Sequence, residues 1–241
     1  MKREGTKWWL SVSCVNVPAM PLTRTCCQIG IDLGVVNHIA TSDGELKKGK
    51  HFGAKAQINL AQAQRQLTTK VRGSNRRQRQ VEEVVRLHRK VKNQRSDAAH
   101  QLSRQLVNDY DFIALEDLKI ANMLRAPKSR PDPEQLETYL PNGARAKAGL
   151  NRSIHDAGWG QAQFVSLLTY KAESAGRTVV SVNPCYTSQT CAECHYVDAG
   201  NRVNQEEFRC RRCAHRDYAD INAARNILRA GRALQASACV D

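Results

Sequence analysis

The sequence contains no long hydrophobic run. Nowhere in its 241 residues do apolar side chains approach the roughly 18 in succession that are needed to cross a bilayer. The amino-terminal stretch places basic residues before an apolar segment, but polar residues interrupt that segment and it stops at Pro18 and Pro21. This pattern does not fit a secretory signal peptide. The sequence therefore argues against a membrane protein and against secretion, and we expect a cytoplasmic protein.

Acidic residues are also scarce. There are 23 Asp and Glu against 37 Lys and Arg, which gives a net charge of +14 and a pI near 9.6. Residues 65–104 alone hold twelve basic side chains and three acidic ones, so nine of the fourteen net charges lie in one sixth of the chain. Such a cluster favours a polyanionic partner, and we predict nucleic acid. The apolar fraction of 41% is ordinary for a globular chain, so disorder throughout is excluded.

The nine cysteines do not suggest a disulfide framework. Four of them have the spacing C-x2-C-x15-C-x2-C, and these are Cys191, Cys194, Cys210 and Cys213. Two such pairs direct four thiolates at one point and complete a closed tetrahedral Zn²⁺ site, which is structural and not catalytic. A redox pair or incidental free thiols are the alternatives. The other five lack this spacing and are expected to be buried or free thiols: Cys14, Cys26, Cys27, Cys185 and Cys239.

Hydrophobic periodicity predicts alternating strands and helices, and hence an α/β fold. A helical hairpin with a basic surface is expected over 54–108, broken at 73–75, and further helices over 153–175 and 220–234. Gly176 should end the first of these. Residues 125–150 contain four prolines and are expected to form a loop. The predicted strands are 7–15, 27–35, 38–44, 111–118 and 177–184.

Three acids lie at the edges of apolar segments. Asp32 and Glu116 belong to predicted strands and Asp220 to a helix start. Taken singly, each could be a cap, a turn acid or a surface group. Taken together they predict a cluster, in which three carboxylates repel one another unless divalent cations neutralise them. Oxygen ligands select Mg²⁺ or Mn²⁺, and a pair of such ions supports phosphodiester hydrolysis.

Four stretches, in the right order along the chain, carry a resemblance to a known family. They are "GIDLGVVNHIATSDG", "FIALEDLKIANML", the segment from "LNRSIHDAGWG" to "CAEC", and "ADINAARNIL". They resemble the TnpB (OrfB) proteins of insertion sequences, which are RNA-guided DNA endonucleases related to type V CRISPR effectors. The resemblance implies a RuvC-like nuclease with an RNase H-like fold, a mixed sheet flanked by helices. A basic helical hairpin and a small zinc ribbon would be inserted in it.

The resemblance also implies a domain organisation and site residues. Residues 1–26 would be the remnant of an amino-terminal wedge-like domain, 27–184 the nuclease core with its insertion at about 54–108, 185–215 the zinc ribbon, and 216–241 the closing helix and tail. Asp32, Glu116 and Asp220 would be catalytic and hold Mg²⁺ or Mn²⁺, with Asp117 a neighbour and Asp217 a weaker candidate. DNA and a guide RNA encoded near the element would be the partners. The basic residues expected to contact them are Arg72, Arg76, Arg77, Arg79, Arg86, Arg89, Lys90, Lys92 and Arg95.

Two departures from the family pattern bear on these expectations. Relatives have Gly after each CxxC, where the turn favours positive φ, but this chain has His195 and Ala214. Strain at these turns is therefore expected, and His195 or His215 is an alternative zinc ligand. Full-length relatives also have well over a hundred more residues before the stretch at 7–15. Without the recognition region that those residues form, wedge-facing residues such as Trp8 and Trp9 are expected to be exposed.

Three functions are consistent with these features. The first is a divalent-metal-dependent DNA endonuclease of the RuvC type, cutting guide-targeted DNA. The second is a non-cleaving remnant or subunit that binds guide RNA or DNA. The third is a strand-transfer transposase, because RNase H-like transposases also use three acids, although the acid spacing and the "NAARNI" stretch match the guided nucleases instead.

Overall fold

A five-stranded mixed sheet is the centre of the fold. The computed structural model describes residues 1–4, 7–15, 17–133, 135, 138–157 and 163–238. The strands of the sheet are β3 (Gln28–Asp32), β4 (Asn37–Thr41), β5 (Leu46–Lys48), β6 (Phe112–Glu116) and β9 (Thr178–Val182). They have the order β5-β4-β3-β6-β9, in which β4 is antiparallel to both β5 and β3, whereas β3, β6 and β9 run parallel.

Helices cover both faces of this sheet. Four consecutive residues of β6, Phe112–Leu115, are buried, as expected for a parallel strand packed on both sides. One face packs against α6 (Ala219–Ala238), which contacts β3, β4, β6 and β9. The other face carries α2 (Asn75–Asp109) and α5 (Gln163–Ala175), whose Leu106, Phe164 and Leu168 belong to the main hydrophobic core. The predicted α/β class is confirmed.

Helix α6 packs closely on the sheet because a glycine lies on each side of the contact, Gly30 on β3 and Gly231 on α6. A Cβ at Gly30 of β3 would stand 2.1 Å from the carbonyl oxygen of Ala224. A Cβ at Gly231 would stand 2.6 Å from the Cβ of Ala114 on β6. Neither contact is compatible with a side chain, so these two glycines set the distance between helix and sheet.

The helical insertion is a hairpin of α1 (Phe52–Thr68) and α2, as predicted. Ser74 caps α2 by accepting from the backbone N–H of Arg77, and the Arg77 guanidinium donates to the carbonyls of Leu67 and Lys70 at the end of α1. The buried carboxylate of Asp156 accepts from the first N–H groups of α1. Three of the four helix ends in the hairpin therefore have polar side-chain partners, and Asp156 ties the start of α1 to α4 (Ala144–Asp156).

Short elements complete the chain. Helix α3 (Ile120–Met123) follows β6 after a brief turn. In the cysteine-containing segment, β10 (Glu207–Arg209) pairs antiparallel with β11 (Arg216–Tyr218), and the second CxxC turn connects the two strands. This small hairpin leads directly into α6.

Several element boundaries differ from the prediction. The strand expected over 7–15 is only β2 (Lys7–Trp9), paired with β1 (Lys2–Glu4), and residues 10–15 form no strand. The loop expected over 125–150 contains two short strands, β7 (Arg130–Pro131) and β8 (Tyr139–Leu140), and the start of helix α4 (Ala144–Asp156).

The helix expected over 153–175 is also divided. Helix α4 ends at Asp156 and α5 begins at Gln163, while residues 158–162 lie outside the described part of the chain. Gly176 follows α5 with φ of +68°, so the predicted helix stop is confirmed. Four of the unassigned thiols, Cys14, Cys26, Cys27 and Cys185, are free and exposed, and Cys239 is not among the described residues.

The exposure predicted for the amino-terminal segment is observed. Trp8 and Trp9 are 67% and 52% exposed, and the apolar residues that follow them up to Met20 are exposed as well. The segment rejoins the body of the fold where Met20 and Leu22 donate backbone hydrogen bonds to the end of α5. None of the helices within the described ranges combines the length and apolarity that a bilayer crossing requires.

Candidate functional site

The three predicted acids come together at one edge of the sheet. Asp32 is the last residue of β3 and Glu116 the last residue of β6. The preceding residues, Ile31 and Leu115, are partners in the parallel ladder, so the two acids end adjacent strands at the same level. Asp220 lies in the first turn of α6, the helix that crosses these strands. All three are half-buried.

The electrostatics of the site reflect this proximity. Burial, and then the charges of Glu116 and Asp220, raise the pKa of Asp32 from 3.8 to about 7. Burial also raises the pKa of Glu116, although a hydrogen bond from Thr187 opposes the shift. Arg202 lowers both pKa values, because its positive charge favours the ionised carboxylates. Burial and the neighbouring acids therefore disfavour the ionised form of Asp32, and Arg202 offsets this effect only in part.

Both carboxylate oxygens of Asp220 have protein partners. The side-chain amide of Asn37 donates to Oδ2 at 3.2 Å and also to the hydroxyl of Tyr218 at 3.1 Å. The guanidinium of Arg202 donates to Oδ1 at 3.0 Å. Asp217, the weaker candidate for the third acid, is instead paired with Arg225 at 2.6 Å.

Sequence reasoning did not identify three residues of this site. Thr187 donates to Glu116 Oε1 at 2.6 Å, and Asn37 and Arg202 contact Asp220 as described above. Thr187 and Arg202 belong to the segment that carries the cysteines, far along the chain from Asp32. No local pattern marks them, since their roles depend on how that segment folds back against the sheet.

Two buried asparagines fasten the cysteine segment to α6. Asn222 accepts from the N–H of Ala192 and donates to the carbonyl of Thr190. Asn226 donates to the carbonyls of Thr187 and Thr190. Because Asp220 lies on the same helix, the cysteine segment and the acid cluster share one rigid support.

The four spaced cysteines form a compact cluster. Their Sγ atoms all lie within 4.8 Å of one another, with Cys191–Cys213 at 3.7 Å and Cys194–Cys210 at 3.5 Å. Four sulfurs at about 2.3 Å from a central ion would be spaced by about 3.8 Å, so the geometry fits a tetrahedral metal. Burial disfavours the Cys210 thiolate, but N–H groups of Cys213 and Arg212 and the adjacent thiols lower its pKa to about 7. His195 and His215 are not part of the cluster.

The two CxxC turns have the backbone strain that the sequence predicts. His195 and Ala214 have φ of +63° and +60°. Their N–H groups donate to the carbonyls of Cys191 and Cys210, so the two turns have the same hydrogen-bond pattern. Each non-glycine residue in this conformation costs about 1–2 kcal/mol, which the cluster must offset.

The predicted basic residues lie on and just before α2, but they are not equivalent. Those that are exposed are Arg72, Arg76, Arg79, Arg86, Lys90 and Lys92. Arg89 is half-buried. Two others have structural partners: Arg77 caps α1, and Arg95 forms an ion pair with Asp156 at 2.9 Å, with both side chains largely buried.

Comparison with known proteins extends these observations. Residues 12–126 match the OrfB_IS605 family model, described as "Probable transposase", and residues 162–227 match the Cas12f1-like TNB domain. The chain is 37% identical over 233 residues to the Escherichia coli K12 protein named "Putative RNA-guided DNA endonuclease InsQ", covering 95% of this chain and 55% of that protein. The chain belongs to the TnpB/OrfB family.

Two other relatives match over a similar share of this chain and of their own length. A Streptomyces pristinaespiralis protein named "Putative RNA-guided DNA endonuclease" is 32% identical, over 98% of this chain and 52% of its own length. The Cas12f1 endodeoxyribonuclease of Sulfoacidibacillus thermotolerans is 28% identical, over 92% of this chain and 50% of its own. The chain thus spans about half the length of the curated relatives it matches.

A solved structure supports the fold. The Cas12f1 chain in a cryo-EM complex with sgRNA and target DNA matches with a TM-score of 0.55 at 18% identity, over 87% of this chain and 51% of that one. This TnpB/OrfB chain therefore shares a mixed α/β fold with a Cas12f1 nuclease, and its two matched regions contain all three acids and all four cysteines.

Proposed function

We propose that this chain is the catalytic part of an RNA-guided DNA endonuclease, a RuvC-like nuclease that depends on divalent metal. The observation that carries the proposal is the convergence of Asp32, Glu116 and Asp220 at one sheet edge. The strand order β5-β4-β3-β6-β9, with only β4 antiparallel to the others, supports an RNase H-like core. The names of the relatives supply the substrate class.

The donor set fits divalent ions. The three half-buried carboxylates are hard oxygen ligands, and burial first, followed by the charges of Glu116 and Asp220, raises the pKa of Asp32. Asp32, Glu116 and Asp220 would hold Mg²⁺ or Mn²⁺, which would activate a water molecule and stabilise the leaving oxygen. Asn37 and Thr187 orient two of these carboxylates through hydrogen bonds, so the protein holds them in place without metal.

The cysteine cluster is proposed to bind Zn²⁺ as a structural ion. Four thiolates leave no open coordination position, so this site would contribute folding energy only. It organises the segment that places Thr187 and Arg202 against the acids.

The exposed basic residues of α2 and its preceding turn are proposed to bind nucleic acid, either guide RNA or DNA. They are Arg72, Arg76, Arg79, Arg86, Lys90 and Lys92. We exclude Arg77 and Arg95 from this role because their guanidinium groups cap a helix and pair with Asp156. Binding should weaken with salt, and each lost phosphate contact should reduce the logarithmic salt slope by about 1.

The decisive experiment is cleavage of single-stranded DNA in Mn²⁺ by the zinc-loaded chain. Wild-type protein should cut, and Glu116→Gln should reduce the rate about 100-fold or more, since several kcal/mol of metal-assisted stabilisation are lost. Asp117→Asn is the matched control: this adjacent acid is exposed, pairs with Lys119 and should be dispensable. Equal cleavage by wild type and Glu116→Gln would reject the assignment.

A non-cleaving protein that binds guide RNA or DNA is the second candidate, because the exposed basic residues of α2 would serve binding alone equally well. Co-purification of a defined RNA without cleavage under any metal condition would support it.

Strand transfer is tested in the same assay by supplying a DNA end with a free 3′ hydroxyl. Joined products in place of cut ones would favour the transposase.

A further inference from the structure

One cation contacts the acid cluster from outside the sheet and α6. Arg202 lies in the segment between Cys194 and Cys210, yet its guanidinium reaches Asp220 Oδ1 at 3.0 Å. Its backbone is well fixed: the preceding residue, Asn201, is fully buried and donates to two carbonyls, and Arg202 itself bridges to buried Phe208. The arginine is therefore held at the acids by the cysteine segment.

The two bonds to Asp220 differ in how easily they can open. Asn37 is 5% exposed and its amide is shared with Tyr218, so it is locked in place. The Arg202 side chain is 29% exposed and has a second acceptor, the carbonyl of Gln205 at 3.2 Å. A cation that approaches Asp220 would therefore encounter a fixed amide on one oxygen and a movable positive charge on the other.

We propose that Arg202 is a displaceable counter-cation, which competes with divalent metal for Asp220 and so lowers the metal affinity of the cluster. This inference rests on the proposed function, in which the three acids hold the metal. Two positive charges on one carboxylate oxygen repel each other, so a metal ion at Oδ1 would either displace the guanidinium or bind more weakly beside it. Gln205 gives it an acceptor on the cysteine segment while it is away from Asp220.

The test is a Mn²⁺ titration of zinc-loaded protein without nucleic acid, followed by the EPR signal of free Mn²⁺. A pH above about 8 lies above the pKa of about 7 of Asp32 and keeps that carboxylate ionised. Arg202→Met keeps the aliphatic stem but removes the charge, and we expect Mn²⁺ to bind about tenfold more tightly. Arg202→Lys keeps the charge and should bind Mn²⁺ about as wild type does.

A matched control comes from the same segment. Arg211 also forms an ion pair with an aspartate, Asp198, but its side chain is 65% exposed and does not contact the acids. Arg211→Met should leave Mn²⁺ affinity unchanged. Arg202→Gln serves as a second charge-removing variant, and zinc content and melting temperature establish that each variant is folded.

The outcomes separate this inference from the proposed function. Unchanged or weaker Mn²⁺ binding in folded Arg202→Met and Arg202→Gln would overturn the counter-cation role. If the double variant Asp32→Asn, Glu116→Gln binds Mn²⁺ as well as wild type, the acids are not the metal site and the proposed function fails. Tighter binding in both charge-removing variants, lost again when the two acids are replaced, would establish both.

Discussion

Replacing Asp32 by Asn should make the metal-free protein more stable, although it removes a proposed catalytic acid. Burial and the charges of Glu116 and Asp220 raise the pKa of Asp32 from 3.8 to about 7. Between these two values the folded state binds a proton that the unfolded state does not. The free energy of unfolding therefore falls as pH rises through this window and levels off above about pH 7.

The magnitude follows from the size of the shift. About three pH units at 1.36 kcal/mol each amount to about 4 kcal/mol of stability lost between pH 4 and 7. An asparagine side chain at this position carries no charge, so the variant avoids this loss of stability. Its hydrogen bond from the N–H of Leu33 is weaker than that of the carboxylate, and this difference costs about 1 kcal/mol. Asp32→Asn should thus gain about 3 kcal/mol at pH 8.

Urea unfolding at several pH values, with zinc retained and no other divalent ion added, measures this gain. Far-ultraviolet circular dichroism is the suitable signal, because Trp8 and Trp9 are exposed and report poorly on folding. Asp97→Asn is the control, since Asp97 is an exposed acid on α2 whose replacement should not alter the pH profile. An Asp32→Asn profile that parallels wild type would refute the reasoning.

Three further predictions concern the supports of the site. Gly30→Ala should destabilise the protein by about 3 kcal/mol or more in urea unfolding, because its Cβ would meet a carbonyl oxygen at 2.1 Å. Gly149→Ala is the control: this residue lies in open space within α4, and the replacement should stabilise the protein by about 0.5–1 kcal/mol. The reverse order would contradict the packing described. Ala214→Gly should stabilise the zinc-loaded protein by about 1 kcal/mol by relieving its positive φ, and no gain would argue against strain. Cys194→Ser should lower the zinc-to-protein ratio measured by atomic emission, and a ratio equal to wild type would exclude the cluster as the site.

The elements that the sequence predicts well are those with a strong local signal. Runs of apolar residues mark β3 and β6 because parallel strands are buried on both faces. The acids at the ends of these strands could be found for the same reason, since a charge at the edge of a buried run requires an explanation. The regular cysteine spacing similarly identified the thiol cluster, which the structure brings together.

The missed features depend on contacts between distant parts of the chain. Strand β5 has three residues, two of them lysines, and it pairs with β4 because the turn before it brings the two strands together. Helix α4 contains few large apolar side chains, so its periodicity is weak, and the prolines before it suggested a loop. Arg202 reaches Asp220 only because the cysteine segment folds back onto α6. No pattern within a short window contains that information.

The two glycines between α6 and the sheet bear on which metal ion the proposed site would prefer, as well as on stability. Gly30 and Gly231 fix how deeply the helix sits on the sheet, and with it the height of Asp220 above Asp32 and Glu116. Mg²⁺ demands nearly ideal octahedral geometry with short bonds, whereas Ca²⁺ accepts longer and looser coordination. A slight outward displacement of α6 would enlarge the proposed site and shift its preference from the smaller ion to the larger one. Ion selectivity at the proposed site would thus depend in part on two residues that contribute no ligand at all.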